Sequence, residues 1–405
     1  SDDTPAVSFA YDRLGRMTSA TTDGVSSNAN AYSLQGLLTN ETVSLCASAP
    51  LRETISRSHD ALGRPSGLAV AGVGDHGPPP YQVTYGYDTS GRLSTVSNAA
   101  FAAAYTYLPG GLDAGWTITL TNGTIVSRMV TRDSYRGLVT AVSNAVNGVP
   151  VSTLAYAYDA LGRVVSRNAD AFGYNPRSEV TGASIDTNVY GYAYDGIGNA
   201  LWTSFNVATN TYTANELNQY TNIANGSIIE PEYYPDGNLT WDGRFDCAWD
   251  AENRLTAVYS NNLCIASNAY DHQSRRVLKV TPTATHTFVY DGWNLVKETV
   301  AVGSGSPQLV VTNHYVWGLD LSGTLQGAGG VGGLLAVSLD GAWYFPLYDN
   351  NGNITAYVDE SGATVASYTY DAFGQTIAKS GLLADVFAFR FSTKYFDSET
   401  GLYYY

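Results

Sequence analysis

Tyr158-Asp159-Ala160-Leu161-Gly162-Arg163 is the stretch of this 405-residue chain that decides its fold. The phrase returns as Tyr11-Asp12-Arg13-Leu14-Gly15-Arg16, as His59-Asp60-Ala61-Leu62-Gly63-Arg64 and as Tyr87-Asp88-Thr89-Ser90-Gly91-Arg92. Looser copies are Tyr194-Asp195-Gly196-Ile197-Gly198-Asn199, Trp249-Asp250-Ala251-Glu252-Asn253-Arg254, Tyr348-Asp349-Asn350-Asn351-Gly352-Asn353 and Tyr370-Asp371-Ala372-Phe373-Gly374-Gln375. Repetition of one short phrase on this scale marks an array.

Each copy reads as a strand end, a tight turn and a new strand. Asp suits the first position of a type I turn, because its carboxylate can accept from backbone N–H groups further on. Gly three residues later takes positive φ without steric penalty, and a type I turn followed by a left-handed Gly is a common three-residue hairpin connection. The incoming strands place rings two residues apart, as in Tyr85/Tyr87, Tyr156/Tyr158, Tyr192/Tyr194, Phe288/Tyr290 and Tyr368/Tyr370. A period of two puts both rings on one strand face. The pattern predicts tyrosine ladders across stacked hairpins, each aromatic cross-strand pair contributing roughly 0.2–1 kcal/mol. No helical periodicity is sustained, so the expected fold is all-β, a long antiparallel sheet of hairpins.

Composition agrees. There are 31 Tyr and 41 Gly, and only 14% of residues are charged, against about 25% in typical domains. That suits sheets that bury one face and wet the other with neutral polar groups. The net charge of −15 disfavours non-specific binding to nucleic acid. No 18-residue apolar run is present, so no membrane span is expected. The chain opens Ser1-Asp2-Asp3-Thr4, without a basic-apolar leader or an initiator Met, and is read as a processed or excised form. Cys46, Cys247 and Cys264 are an odd number. In a meander one strand separates Cys247 from Cys264, a span of about 9–10 Å that a disulfide cannot bridge. Free thiols buried in the sheet are expected.

Residues 1–312 form the array, with Gly72–Pro80, Asn206–Asn218 and Asn222–Pro235 expected as loops. Pro cannot donate to a sheet ladder, which supports the two loops that contain it. Ser134-Tyr135-Arg136-Gly137-Leu138 and Tyr234-Pro235-Asp236-Gly237-Asn238 look like degenerate copies of the turn. From residue 313 to 405 the texture changes. His314-Tyr315-Val316-Trp317-Gly318-Leu319-Asp320 leads to Gly327-Ala328-Gly329-Gly330-Val331-Gly332-Gly333, and hairpins then resume.

No chemistry stands out. Gly327-x-Gly329-x-x-Gly332 matches the dinucleotide fingerprint by letter, but a strand and a turn follow it where that motif needs a helix. It reads as a glycine loop. The repeat Asp residues occupy turn slots, where Asp is structurally preferred, and nothing selects a catalytic carboxylate pair. His59, His76, His272, His286 and His314 lack metal-ligand spacing, and His59 takes the ring slot of a repeat Tyr. No enzyme activity, cofactor or metal is expected.

The recurring Tyr-Asp-x-x-Gly-Arg phrase resembles the YD repeat of Rhs proteins, Tc-toxin B/C cocoon proteins and teneurins. The segment Trp317–Gly333 and the closing Arg390-Phe391 through Tyr405 resemble the Rhs-associated core domain. The resemblance implies a spiralling antiparallel β-hairpin array, a YD-repeat β-solenoid shell that is a partial or complete hollow barrel. It implies encapsulation or presentation of a C-terminal effector or toxin polypeptide in a secreted or cell-surface bacterial system. The structural residues it assigns are Tyr11, Asp12, Gly15, Asp60, Gly63, Tyr87, Asp88, Gly91, Tyr158, Asp159, Gly162, Tyr194, Asp195, Gly198, Tyr348, Asp349, Gly352, Tyr370, Asp371 and Gly374. The family's aspartyl self-cleaving segment carries Asp-Pro, and no Asp-Pro occurs in this sequence, so neither cleavage residues nor cargo are expected within it. The array is also short for a closed shell. Other copies of the chain, or a second shell chain, are the partners that would complete it. The alternative readings are a glycan- or receptor-binding adhesion module and a self-assembling sheet, with Tyr403-Tyr404-Tyr405 as an assembly edge.

Overall fold

The computed structural model describes residues 4–45, 51–72, 81–303 and 309–405. Among them there is no α-helix. One short 3-10 turn, Phe391–Thr393, interrupts an otherwise all-β chain. A first sheet of 21 strands runs from Val7–Tyr11 to Ile228–Ile229, and a second of 14 runs from Glu232–Tyr233 to Thr376–Ser380. A small hairpin, Tyr395–Asp397 with Leu402–Tyr404, ends the chain. Within each sheet, strands that follow one another in sequence pair antiparallel. No described pairing joins the ends of either sheet, so neither closes into a barrel.

One irregularity recurs at the repeat turns. Ala10 faces Ser19 but Tyr11 faces Met17, so Thr18 is an extra residue on the return strand. The same step occurs at Gly86/Tyr87, Ala157/Tyr158, Ala193/Tyr194, Leu347/Tyr348 and Thr369/Tyr370. A bulge bends its strand and increases local twist. Repeated at the same end of successive hairpins, it curves the sheet progressively in one sense.

The second sheet packs on the first. Phe345 of the second sheet meets Phe101 of the first edge-on, with ring centroids 5.5 Å apart. The Tyr81 hydroxyl donates to the Tyr315 carbonyl across the seam at 3.0 Å, and the Asn144 amide donates to the Tyr348 carbonyl at 2.9 Å. Lys297 pairs with Glu53 at 2.6 Å, and Arg57 bridges Glu41 and Asp291. One core cluster runs through both sheets, from Val43 to Tyr395.

Burial differs between the sheets. Strand Phe101–Tyr107 of the first alternates buried and exposed residues, as a half-wet sheet should. In Leu334–Leu339 of the second, five consecutive residues are buried. Its outer face is covered too: Phe387 of the C-terminal segment stacks on Tyr357 at 3.8 Å and meets Tyr344 edge-on at 5.2 Å. The expectation of one buried and one wet face therefore fails for the second sheet.

Other expectations need correction. Asn206–Asn218, read as loop, contains strand Ala208–Ala214, flanked by turns in which Asn206 and Asn218 take the positive φ usually given to Gly. Asn222–Pro235 holds the end of Tyr220–Ala224 and two-residue strands at Ile228–Ile229 and Glu232–Tyr233, and the break between the sheets falls there, at Glu230-Pro231. Gly72 ends strand Pro65–Gly72, and the rest of the Gly72–Pro80 segment lies outside the described residues, as does Cys46. Cys247 and Cys264 are free, with strand Leu255–Ser260 between them, but both are half-buried rather than buried. Residue 313, where the sequence changes texture, lies within strand Leu309–Trp317, so pairing continues across it.

Candidate functional site: the repeat turns and the C-terminal segment

Every turn of the clean repeat is built alike. The Asp159 carboxylate accepts from the N–H groups of Leu161 and Arg163, both at 2.9 Å, through one oxygen. Its other oxygen takes Arg163 Nε at 2.6 Å. Asp12, Asp60 and Asp88 repeat this set with Arg16, Arg64 and Arg92. Asp195 and Asp349 use the amides of Asn199 and Asn353 in place of Arg. Asp371 keeps only the backbone bonds, from Phe373 and Gln375. Gly15, Gly63, Gly91, Gly162, Gly198, Gly352 and Gly374 all lie at positive φ, between 74 and 104°. Hydrogen bonds from the Arg of the same turn hold the Asp12, Asp60, Asp88 and Asp159 carboxyls below the usual range, and at Asp195 the backbone N–H bonds and Asn199 do so.

The rings and cations then interlock. Arg64 lies 4.1 Å over the Tyr87 ring, Arg92 4.3 Å over Tyr107, Arg163 4.9 Å over Tyr174 and Arg275 5.4 Å over Tyr290. Each of these tyrosines donates its hydroxyl to the carbonyl one residue past that Arg: Pro65, Leu93, Val164 and Arg276, at 2.5–2.9 Å. The expected tyrosine ladder is in these hairpins a tyrosine–arginine ladder. The return strand separates successive incoming strands, leaving their rings about 9–10 Å apart. The Arg that opens the return strand fills that gap, and a cation over a ring contributes about 0.5–1 kcal/mol at exposed sites.

Turns built from other residues escape a search for Asp and Gly. Asn215 accepts from Leu217 and Gln219, with Asn218 at φ 62°. Asn175 does the same with Arg177 and Glu179, with Ser178 at φ 67°. Tyr270-Asp271 carries Ser274 where Gly would stand. The readable signal is a side-chain acceptor followed, three residues on, by any residue that tolerates positive φ.

The C-terminal segment folds back over the second sheet. Arg390 donates to the carbonyls of Phe387 and Ala384, and lies 5.0 and 4.5 Å over the rings of Tyr368 and Phe396. Tyr357 and Tyr368 donate to the carbonyls of Phe389 and Ala384. Thr393 stands at φ 51°, unusual for a β-branched residue, and its hydroxyl donates to the Gly352 carbonyl and accepts from Gly332 N–H. The glycine loop is thereby tied to a repeat turn. Asp320 also pins it, accepting from the N–H groups of Ala328 and Gly330, and strand Leu334–Leu339 follows. Tyr404, expected as part of an assembly edge, instead turns inward: its ring lies under Arg276 at 4.5 Å and its hydroxyl accepts from Arg276 N–H.

Two buried carboxylates anchor this segment. Glu298 accepts from the hydroxyls of Tyr315 and Tyr395, both at 2.6 Å, and meets His286 Nδ1 at 2.8 Å. Burial pushes its carboxyl up, but His286 and the two hydroxyls outweigh that and bring it down to about 2. Asp397 takes both terminal nitrogens of Arg276 and also Lys279. Burial raises it, yet the two cations hold it below the ordinary carboxylate value. Two cavities of about 710 and 540 Å³ are the size of small-ligand pockets, which run about 300–1,000 Å³. No group of three or more His, Cys, Asp or Glu among the described residues is placed to hold a metal. No helix among them is long and apolar enough to cross a membrane.

Known proteins share this architecture. A family model described as the teneurin YD-shell matches residues 111–405. The tRNA3(Ser)-specific nuclease WapA of Bacillus spizizenii and the tRNA nuclease WapA of Bacillus subtilis are each 33% identical over 228 residues, which is 54% of this chain and 9% of theirs. The chain spans about a tenth of the length of these curated relatives. Among solved structures, the Photorhabdus luminescens Tc holotoxin pore covers the whole chain at a TM-score of 0.61 and 14% identity, over 25% of its own length. The crystal structure of TcdB2-TccC3 without its hypervariable C-terminal region does so at 0.54, also at 14% identity and over 25% of its length. These structural likenesses concern the fold.

Proposed function

Because the chain belongs to the teneurin YD-shell family, we propose that it is a non-enzymatic length of β-shell wall that contains or presents a C-terminal effector polypeptide in a secreted or surface-exposed bacterial system. The observation that carries this reading is the double cover of the second sheet. The first sheet lies on one face and the C-terminal segment on the other, which supports reading the end of the 313–405 unit as the part that closes over the wall. The repeat Tyr, Asp and Gly residues set the register and curvature of that wall. The relatives are described as nucleases and a toxin, which supports a toxin as the contained polypeptide. Other copies, or a second shell chain, would complete the wall at its open sheet ends.

The test places one flexible reporter peptide with a protease site after Tyr405 or before Ser1. Containment predicts that the C-terminal reporter is cut more slowly than the N-terminal one and than the free peptide. Equal rates at both ends would overturn it.

A further inference from the structure

Arg128 occupies a position with apolar neighbours. It lies between Val126 and Val130 on the inward face of strand Ile125–Arg132, since residues two apart share a face, and it stands opposite Trp116 on the paired strand. It is only 8% exposed. Its guanidinium is poorly used: Nη1 makes one long bond to Asp113, at 3.3 Å, and Nε has no acceptor. Buried charges are ordinarily paired and hydrogen-bonded, so an under-partnered one calls for an explanation. Arg128 borders the 540 Å³ cavity. Strands Phe101–Tyr107, Asp113–Leu120 and Ile125–Arg132 bound this cavity on one side, and residues 319–325 with the turn at Asp349 bound it on the other.

The charges around the cavity do not balance locally. Arg92, Arg128 and Arg132 line it, as do Asp113, Asp320 and Asp349. Arg92 is taken by Asp88 at 2.7 Å. Asp349 has Arg167 at 3.4 Å, and Asp320 has Lys394 nearby and accepts from Ala328 and Gly330 N–H. Arg132 donates only to the carbonyls of Asp113 and Gly137 and forms no ion pair among the described residues. Asp113 is thus one carboxylate before two guanidiniums, which leaves one positive charge over in a chain of net charge −15. The rest of the wall is largely apolar, with Leu93, Trp116, Leu319, Leu321 and Leu325. A cation would be repelled, and a neutral apolar ligand would leave the guanidiniums unmatched. An inorganic phosphate would bring a second charge and leave the apolar wall bare. The planar guanidinium fork suits the two oxygens of a carboxylate, and the wall suits an apolar body behind it.

We propose that this cavity binds a small amphipathic monocarboxylate, its carboxylate held by Arg128 and Arg132 and its aryl or alkyl body packed on Trp116 and the leucines. The inference goes beyond containment and stands without it. It is tested by calorimetric titration of the purified chain with naphthalene-2-carboxylate, 4-phenylbutyrate and decanoate, each beside its neutral amide, and with inorganic phosphate. At least one carboxylate should bind, and its amide should bind about tenfold more weakly or worse, the effect of losing a charge-assisted hydrogen bond. Arg128→Gln and Arg132→Gln should each weaken the carboxylate by a similar factor. Arg132 is the less buried of the two, so its variant keeps the test open if Arg128→Gln does not fold. Asp113→Asn keeps the oxygen that accepts from Gly115 N–H but removes the competing charge, and it should tighten binding. No heat with any carboxylate at millimolar concentration would overturn the proposal. So would an amide or phosphate that binds as well as the carboxylates, binding unchanged in Arg132→Gln, or weaker binding in Asp113→Asn.

Discussion

Arg276 and Asp397 stand 121 residues apart and meet through two hydrogen bonds, 2.6 and 2.9 Å long. Their side chains are 4 and 11% exposed. The guanidinium is stacked among rings, 5.4 Å from Phe288, 5.4 Å from Tyr395 and 4.5 Å from Tyr404. Removing one partner of a buried pair leaves the other charge uncompensated, at a cost of about 3–5 kcal/mol. Lys279 also binds Asp397, so two cations lose their carboxylate, and only Lys279 retains a second one, Glu399. Asp397→Asn should therefore lower the urea midpoint and open the C-terminal segment to trypsin at Lys394. A variant as resistant as the parent would show that the pair does not hold the segment down.

Glu298 makes the same segment sensitive to acid. Its folded-state value, about 2, lies below its ordinary 4.5. The stability it contributes is complete above about pH 4.5 and drains away as pH falls through about 2. Glu298→Gln should be less stable than the parent near neutrality, and the gap should narrow as pH falls from about 5 to about 2. Unfolding midpoints measured across that range check this. A gap independent of pH would mean that the carboxylate charge is not what Tyr315 and Tyr395 stabilise.

The hydroxyl of a repeat tyrosine should matter in proportion to its burial. Tyr290 donates to the Arg276 carbonyl in a buried setting, whereas the Tyr87 bond to Pro65 is open to water. Water can replace the second partner but not the first. Tyr290→Phe should cost about 1–3 kcal/mol and Tyr87→Phe less than about 1 kcal/mol. Equal losses in chemical denaturation would count against this account of the ladder.

How much of this was legible depends on range. Asp159 and Gly162 announce their turn because both preferences are local: one side-chain acceptor and one residue free to take positive φ. Asn215 and Asn218 form the same turn from a different alphabet, which is why strand Ala208–Ala214 reads as loop. The Arg64–Tyr87 contact depends on what separates two incoming strands, and that follows only once pairing is known. The second sheet's burial on both faces is less legible still. Phe345 and Tyr344 are adjacent in sequence, yet Phe101 covers one and Phe387 the other. Tyr190 and Tyr192 carry the repeat's ring spacing, and only the packing around the second sheet's last hairpin shows their hydroxyls unpaired.

Cys247 and Cys264 should remain thiols. Strand Leu255–Ser260 lies between them, and burial pushes the Cys247 thiol up to about 11. The thiolate is the reactive form, so Cys247 should alkylate slowly at neutral pH in the folded protein and quickly in denaturant. Mass spectrometry after a timed iodoacetamide pulse checks this. Fast labelling of the native protein would place Cys247 in a more exposed setting.

Two glycines at positive φ should respond differently to an added side chain. Gly162 stands at φ 80°, and a Cβ there would meet only Leu138 Cδ1, at 3.8 Å. Its cost is backbone strain alone, about 1–2 kcal/mol, and Gly162→Val should lose about that much and become easier to digest at its turn. Gly115 stands at φ 125°, at the register shift after Asp113, and its Cβ would lie 1.9 Å from the Arg128 carbonyl oxygen. Backbone cannot yield as a side-chain tip can. Gly115→Ala must push strand Ile125–Arg132 away, loosening the Gly115–Met129 pairing beside the 540 Å³ cavity. The smaller substitution should therefore do the greater damage. Thermal unfolding of the two variants orders them, and a Gly115→Ala variant at least as stable as Gly162→Val would place the close approach of these strands in error.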